Sequence, residues 1–165
     1  MKNQKGITLI ALVITIIVLL ILAGITIAML AGENGILTNA TKSKAYDEIG
    51  TAKDQINLKA NEAISTYFET TYVGSSATGT YSNANVRNAV AEAVAGLNLT
   101  SMKTAPAELE NGKIKTGTTP GYTINLQVGD YEVNGVINTN GSIKWGDIGY
   151  QSGKGTPTAT TPTVE

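Results

Sequence analysis

The sequence predicts an α+β fold: a long N-terminal helix, membrane-spanning and then amphipathic, with a small C-terminal antiparallel β-sheet head. Three observations predict it. Residues 7–32 hold no charged side chain. Apolar residues then recur at steps of three and four as far as Tyr67, the period of one helix face. Beyond Pro106 the period drops to two, with tight-turn dipeptides between the runs.

The first element is the stretch "KGITLIALVITIIVLLILAGITIAML". The 26 residues from Ile7 to Gly32 make a helix of roughly 39 Å at 1.5 Å per residue, longer than the ~30 Å hydrocarbon core of a bilayer. A secretory signal peptide has an apolar stretch of only about 7–15 residues ending in a small-x-small site. Here Met29 stands two places before Ala31, a poor match to that pattern. Lys2 and Lys5 are the only charges before Glu33. They hold the N-terminus in the cytoplasm and send the rest outward, so the expected topology is single-pass with the C-terminal side outside. Gly24, Ala28 and Gly32 recur every four residues and form a small-residue stripe on which another helix could pack closely. Thr8, Thr15 and Thr26 can bond back to their own helix.

The second element starts after a Gly/Asn interruption, where Gly32 and Gly35 should weaken or kink the join. Ala45, Ile49, Ala52, Ile56, Ala60, Ala63 or Ile64, and Tyr67 make one apolar stripe, with Glu48, Lys59 and Glu62 on the opposite face. "VGSSATGTYSNAN" reads as a loop. "NANVRNAVAEAVAGLNL" is a short helix capped by Asn83 or Asn85, with Val86, Val90, Ala93, Val94 and Leu97 apolar and Gly96 near its end. Three strands follow, Tyr122–Val128, Tyr131–Asn138 and Ser142–Trp145, joined at Gly129-Asp130 and Asn140-Gly141. Residues 151–165 are Thr/Pro-rich and lack apolar anchors, which predicts a disordered tail. After a short basic stretch at 1–6, the expected segments are therefore 7–32, 33–70, 71–150 and 151–165: membrane helix, amphipathic stem, head and tail.

Composition narrows the function. With 165 residues there is room for one small head beside the apolar helix. Twelve basic residues less Lys2 and Lys5 leave ten against thirteen acidic from Glu33 onward, so no nucleic acid is expected at the head. The chain has no cysteine and no histidine, which removes disulfides, thiolate metal sites and the commonest general base. No phosphate loop or ligand cluster is present. Asp47-Glu48 and Glu108/Glu110 read as solvated carboxylates, and the spacing of Asp130, Glu132 and Asp147 matches no calcium motif. Asn39-Ala-Thr41, Asn98-Leu-Thr100 and Asn140-Gly-Ser142 fit an N-glycosylation pattern that an Asn- and Thr-rich chain meets by chance. The expectation is no enzyme, no cofactor and no metal.

The junction Lys5-Gly6-Ile7-Thr8-Leu9-Ile10 resembles the processing site of the type IV pilin and pseudopilin family. The resemblance implies cleavage between Gly6 and Ile7 by a prepilin peptidase and methylation of the new N-terminus at Ile7. It also implies partners: other pilin or pseudopilin subunits, an assembly machinery and membrane lipid. The implied role is a structural subunit of a pilus-like or secretion pseudopilus filament, anchored in the cytoplasmic membrane and extracellular after assembly. Helix packing would fall to Gly24, Ala28 and Gly32. Two positions depart from the family: Ile7 stands where Phe is common and Ala11 where Glu is typical. The second departure fits a minor or initiating subunit. The alternative from another class is a membrane-tethered extracellular binding module that never polymerises.

Overall fold

The computed structural model describes residues 4–32, 35–73 and 79–165, with the side chains of residues 4–8 and 31 outside the description. The chain divides into two compact units, Met1–Lys44 and Ala45–Glu165.

Helix α1 spans Gln4–Ala31. Leucine, isoleucine and alanine dominate it, and its first glycine within the apolar run is Gly24. It ends where the sequence suggested. Gly32 forms a bend, its N–H completing the ladder to Ala28 O at 3.0 Å, and Gly35 N–H turns back to Gly32 O at 2.7 Å. Thr38 Oγ1 donates to the same Gly32 carbonyl at 3.0 Å, satisfying an oxygen that the helix end leaves open. Helix α2 then spans Ile36–Tyr72. Within the second unit it buries Ala45, Ile49, Ala52, Ile56 and Ala60, the expected stripe.

Helix α3 spans Asn83–Ala95. Its cap position is Ser82, not Asn83 or Asn85, and the Ser82 side chain makes no capping bond. The Ser82 N–H is taken instead by Tyr67 Oη at 3.2 Å, so α2 fixes where α3 starts. Gly96 N–H closes the helix on Glu92 O at 3.0 Å, and Leu97 N–H follows on Val94 O at 3.1 Å.

Seven short strands follow: β1 (Met102–Thr104), β2 (Leu109–Glu110), β3 (Lys113–Ile114), β4 (Thr123–Val128), β5 (Tyr131–Ile137), β6 (Ile143–Trp145) and β7 (Gly149–Tyr150). The main sheet runs β1-β4-β5-β6, with β7 also on β5, and β2 pairs β3 in a separate hairpin. Named strand pairs are all antiparallel, with Val128 opposite Tyr131 and Ile137 opposite Ile143. The three expected strands are present but trimmed. Tyr122 has φ 55, a left-handed value that cannot continue a strand, and its N–H bonds Pro106 O at 2.9 Å. Asn138 and Ser142 close the turn between β5 and β6, through Asn138 N–H on Ser142 O at 2.8 Å. Positive φ at both Asn111 and Gly112 suits the tight β2–β3 turn.

The core is one cluster. Ile124 and Leu126 of β4 and Val133 and Ile137 of β5 alternate onto the face that meets the α2 stripe and Val90 and Val94 of α3. Polar contacts set the orientation. Trp145 Nε1–H donates to Asn57 Oδ1 on α2 at 3.0 Å, and the same ring lies where a side chain at Gly135 would have to go. The single arginine, Arg87, donates from Nε to Ile137 O at 2.8 Å and lies 3.8 Å over the Tyr122 ring, whose hydroxyl bonds Asn88 Oδ1 at 2.6 Å.

Residues 151–165 correct the expectation of disorder. Tyr150 N–H donates to Pro157 O at 2.8 Å and Ala159 N–H to Tyr150 O at 3.1 Å, a parallel bridge at Thr158. Asp147 N–H donates to Thr160 Oγ1 at 2.7 Å. Further on, Glu165 N–H reaches Asn138 Oδ1 at 3.1 Å, and its carboxylate pairs with Lys144. Apolar anchors are indeed missing, but backbone groups and threonine hydroxyls supply the attachment instead.

Candidate functional site

The N-terminal helix carries the chain's strongest functional pattern. Leu9–Leu30 is a 22-residue span of mean hydropathy 3.2 with none of its length buried within its own unit. At 1.5 Å per residue it reaches about 33 Å, enough for a bilayer core with little tilt. Its hydroxyls need no partner outside the helix: Thr15 Oγ1 donates to Leu12 O at 2.8 Å and Thr26 Oγ1 to Ala23 O at 2.9 Å.

Gly6 and Ile7 lie in helical backbone, since α1 already begins at Gln4. The first three residues, including Lys2, lie outside the described residues. A peptidase needs its scissile bond extended, so any cleavage at Gly6 would require the first turn to unwind. Unwinding there is easy: a first turn has unpaired N–H groups, and glycine is a weak helix former by about 1 kcal/mol relative to alanine.

Of the small-residue stripe, Gly24 and Ala28 lie within α1, and Gly32 follows its last residue. An added Cβ at Gly24 would meet nothing within 4 Å. Ala11 is exposed, and no charged side chain stands in the span around it.

The head carries surface grooves. One, of about 510 Å³, lies among α2, α3 and the β2–β3 turn, and ion pairs mark its walls: Lys59 with Glu62 and Lys113 with Glu92, each at 2.9 Å. Another of about 420 Å³ includes Asp47 and Glu48 with Ser101 and Gln127. Glu108 faces Lys115 at 3.8 Å. The carboxylates considered for calcium stand apart: Asp130 faces Lys154 at 3.6 Å, Glu132 accepts from Asn125 Nδ2 at 3.2 Å, and Asp147 accepts from Thr160 Oγ1 at 3.4 Å. Among the described residues no three His, Cys, Asp or Glu side chains are grouped to hold a metal ion. Asn140 of the third glycosylation pattern is engaged by Ser142, whose N–H donates to its Oδ1 at 3.0 Å.

Among the described residues one titratable group, Tyr131, is strongly perturbed. The Tyr131 hydroxyl donates to Tyr150 Oη at 3.0 Å, and this bond, helped by burial, pushes its pKa from 10.0 up to about 12. Tyr46 packs edge-on against Tyr131, with ring centroids 5.7 Å apart. The trio ties α2 to β5 and β7. Strongly shifted groups often mark sites; here the Tyr150 hydrogen bond and burial come first, and the neighbouring Tyr150, Tyr46 and Asp130 charges raise it further, a set that makes a structural contact.

Residues 1–27 match the family model of the prokaryotic N-terminal methylation motif. No curated protein and no solved structure matches the chain. The motif points to a structural protein rather than an enzyme, and it implies processing by a prepilin peptidase and assembly with pilin-type subunits. The apolar helix fits anchorage in a cytoplasmic membrane. On these grounds the chain is type IV pilin- or pseudopilin-like in its N-terminal segment: it carries the prepilin signal on a membrane-length helix, joined to an α+β head.

Proposed function

We propose that this chain is a structural subunit, a minor or initiating one, of a type IV pilus-like or type II secretion pseudopilus filament. The observation that carries the reading is the methylation motif at residues 1–27 lying on a helix whose apolar surface is not covered within its own unit. Before assembly α1 lies in the cytoplasmic membrane with the head outside. The peptidase cuts between Gly6 and Ile7, Ile7 is methylated, and an assembly machinery draws the subunit into an extracellular filament. That transfer exchanges lipid for neighbouring helices, so the hydrophobic effect contributes little and close packing must supply the preference. Gly24, Ala28 and Gly32 are the residues proposed for it.

The minor role rests on Ala11. A glutamate at this place would cost several kcal/mol in a bilayer unless it met a positive partner, and in the filament it would draw in a neighbour's N-terminus. Ala11 avoids the cost and forgoes the attraction. A subunit with no neighbour to engage through that charge can dispense with it.

The test combines processing, microscopy and counting. Gly6→Val should leave the leader attached and keep the chain in the membrane fraction. Gly24→Leu should preserve membrane insertion and reduce incorporation into filaments. In sheared wild-type material, electron microscopy with label-free quantification should find this chain in filaments well below the commonest subunit. Finding it as the dominant component would end the minor-subunit reading. A processed chain never found in filaments would favour the tethered binding module.

A further inference from the structure

We propose that the outer edge of β7 is a strand-acceptor site, filled within the chain by residues 157–160 and able to take the same segment from a second copy of this chain. An open strand edge presents unpaired N–H and C=O groups and invites pairing with another extended segment. In this head the edge is taken. Tyr150 offers both its N–H and its C=O, to Pro157 O at 2.8 Å and Ala159 N–H at 3.1 Å.

The floor beneath the segment is built for close approach. A Cβ at Gly149 would collide with the backbone of Thr158 and Ala159, and one at Gly146 with the Thr160 carbonyl. Neither glycine has a positive φ, so neither is needed for a turn. Their common property is that they leave room for another backbone. The register is read by one side chain: Thr160 Oγ1 accepts the Asp147 N–H at 2.7 Å.

Exchange between copies follows from how the segment is attached. Among the described residues, no hydrophobic side chain after Tyr150 belongs to the hydrophobic core cluster or packs against it; Gly155 rests on the Tyr150 ring without a side chain of its own. Releasing the segment therefore exposes little apolar surface. The link before it contains Gly153 at φ 80 and Gly155, and is held by Gln151 N–H on Asp130 O at 2.9 Å and by Lys154 near Asp130. Opening such a link lets the segment reach a neighbouring head, where it finds an identical floor and identical bonds. That is the economy of domain swapping. Copies held side by side raise the effective concentration and favour the exchange. The crowding rests on the membrane and filament reading; the acceptor edge does not.

The chain has no native cysteine, so disulfide trapping reads the contact directly. Under mild oxidation in detergent micelles, the full-length double variant Asp147→Cys/Thr160→Cys should close an intrachain disulfide. Mixing the two single variants in one membrane should give interchain dimers well above the background of either variant alone. Excess synthetic peptide of residues 156–165 should reduce that dimer several-fold, and a reversed-sequence peptide should not. Failure of the double variant to close would overturn the docked segment itself. Closure without interchain dimers would overturn acceptance from a second copy. Loss of filament formation would leave the micelle result readable, which separates this proposal from the filament reading.

Discussion

Isoleucine has two environments in this chain. Ile14, Ile17 and Ile21 on α1 are about half exposed, as the bare surface of a helix is, while Ile49 and Ile56 on α2 are fully buried. Residue type is the same; arrangement differs. Alpha-helix α2 places its apolar residues on one stripe and polar ones opposite, so a single sheet and α3 cover it. Helix α1 is apolar on every side, and no neighbour within its own unit covers it. A helix of the first kind stabilises a head, and one of the second kind needs a different solvent, lipid or the helices of other chains.

The largest separation of the two regions should come from Ile56→Ala. Truncating this buried side chain should cost the head about 2–5 kcal/mol by denaturant unfolding, with membrane fractionation unchanged. The converse is Leu19→Arg. An arginine at the middle of the span should disfavour insertion by about 3 kcal/mol, read as a shift from membrane to soluble or degraded chain, while the head unfolds as before. If either variant altered both readouts, the two regions would not be independent.

Alkaline titration sharpens the account of the head. The Tyr131 hydroxyl is held protonated by Tyr150 and by burial, with its pKa raised from 10.0 to about 12. Above pH 10 the unfolded chain loses this proton first. Its contribution to stability is therefore complete below pH 10 and is lost as pH rises through about 12. Tyr150→Phe removes the first cause of the shift, so tyrosinate absorbance should then rise at lower pH. The smallest effect belongs to Gly50→Ala. An added Cβ at Gly50 meets nothing within 4 Å, and alanine there should stabilise the head by roughly 0.5–1 kcal/mol through helix propensity.

What the sequence made legible was what repeats. The uncharged run, the α2 stripe from Ala45 to Ala60 and the alternation of β4 and β5 each carry many residues of one period, and all stand in the structure. Short elements escaped: β1, β2, β3 and β7 have two or three residues each, too few for a period. The segment after Tyr150 was misread because the usual sign of order is apolar residues, and here backbone bonds and Thr160 do the holding. Gly146 and Gly149 were its only trace in the sequence. At the N-terminal site, the pattern around Gly6 was readable, but its helical backbone was not, because one residue's conformation depends on the apolar run that follows it.

On the proposed reading, the helix from Ile7 onward stays in the mature protein as an anchor and packing helix, and only residues 1–6 are removed. Mass spectrometry of the native N-terminus, on chain isolated from membranes and from sheared material, tests it most directly. The expected N-terminal peptide begins at Ile7 and carries a methyl group on its amine. A mature chain beginning beyond the apolar run, or one retaining Met1 to Gly6 in both fractions, would contradict it.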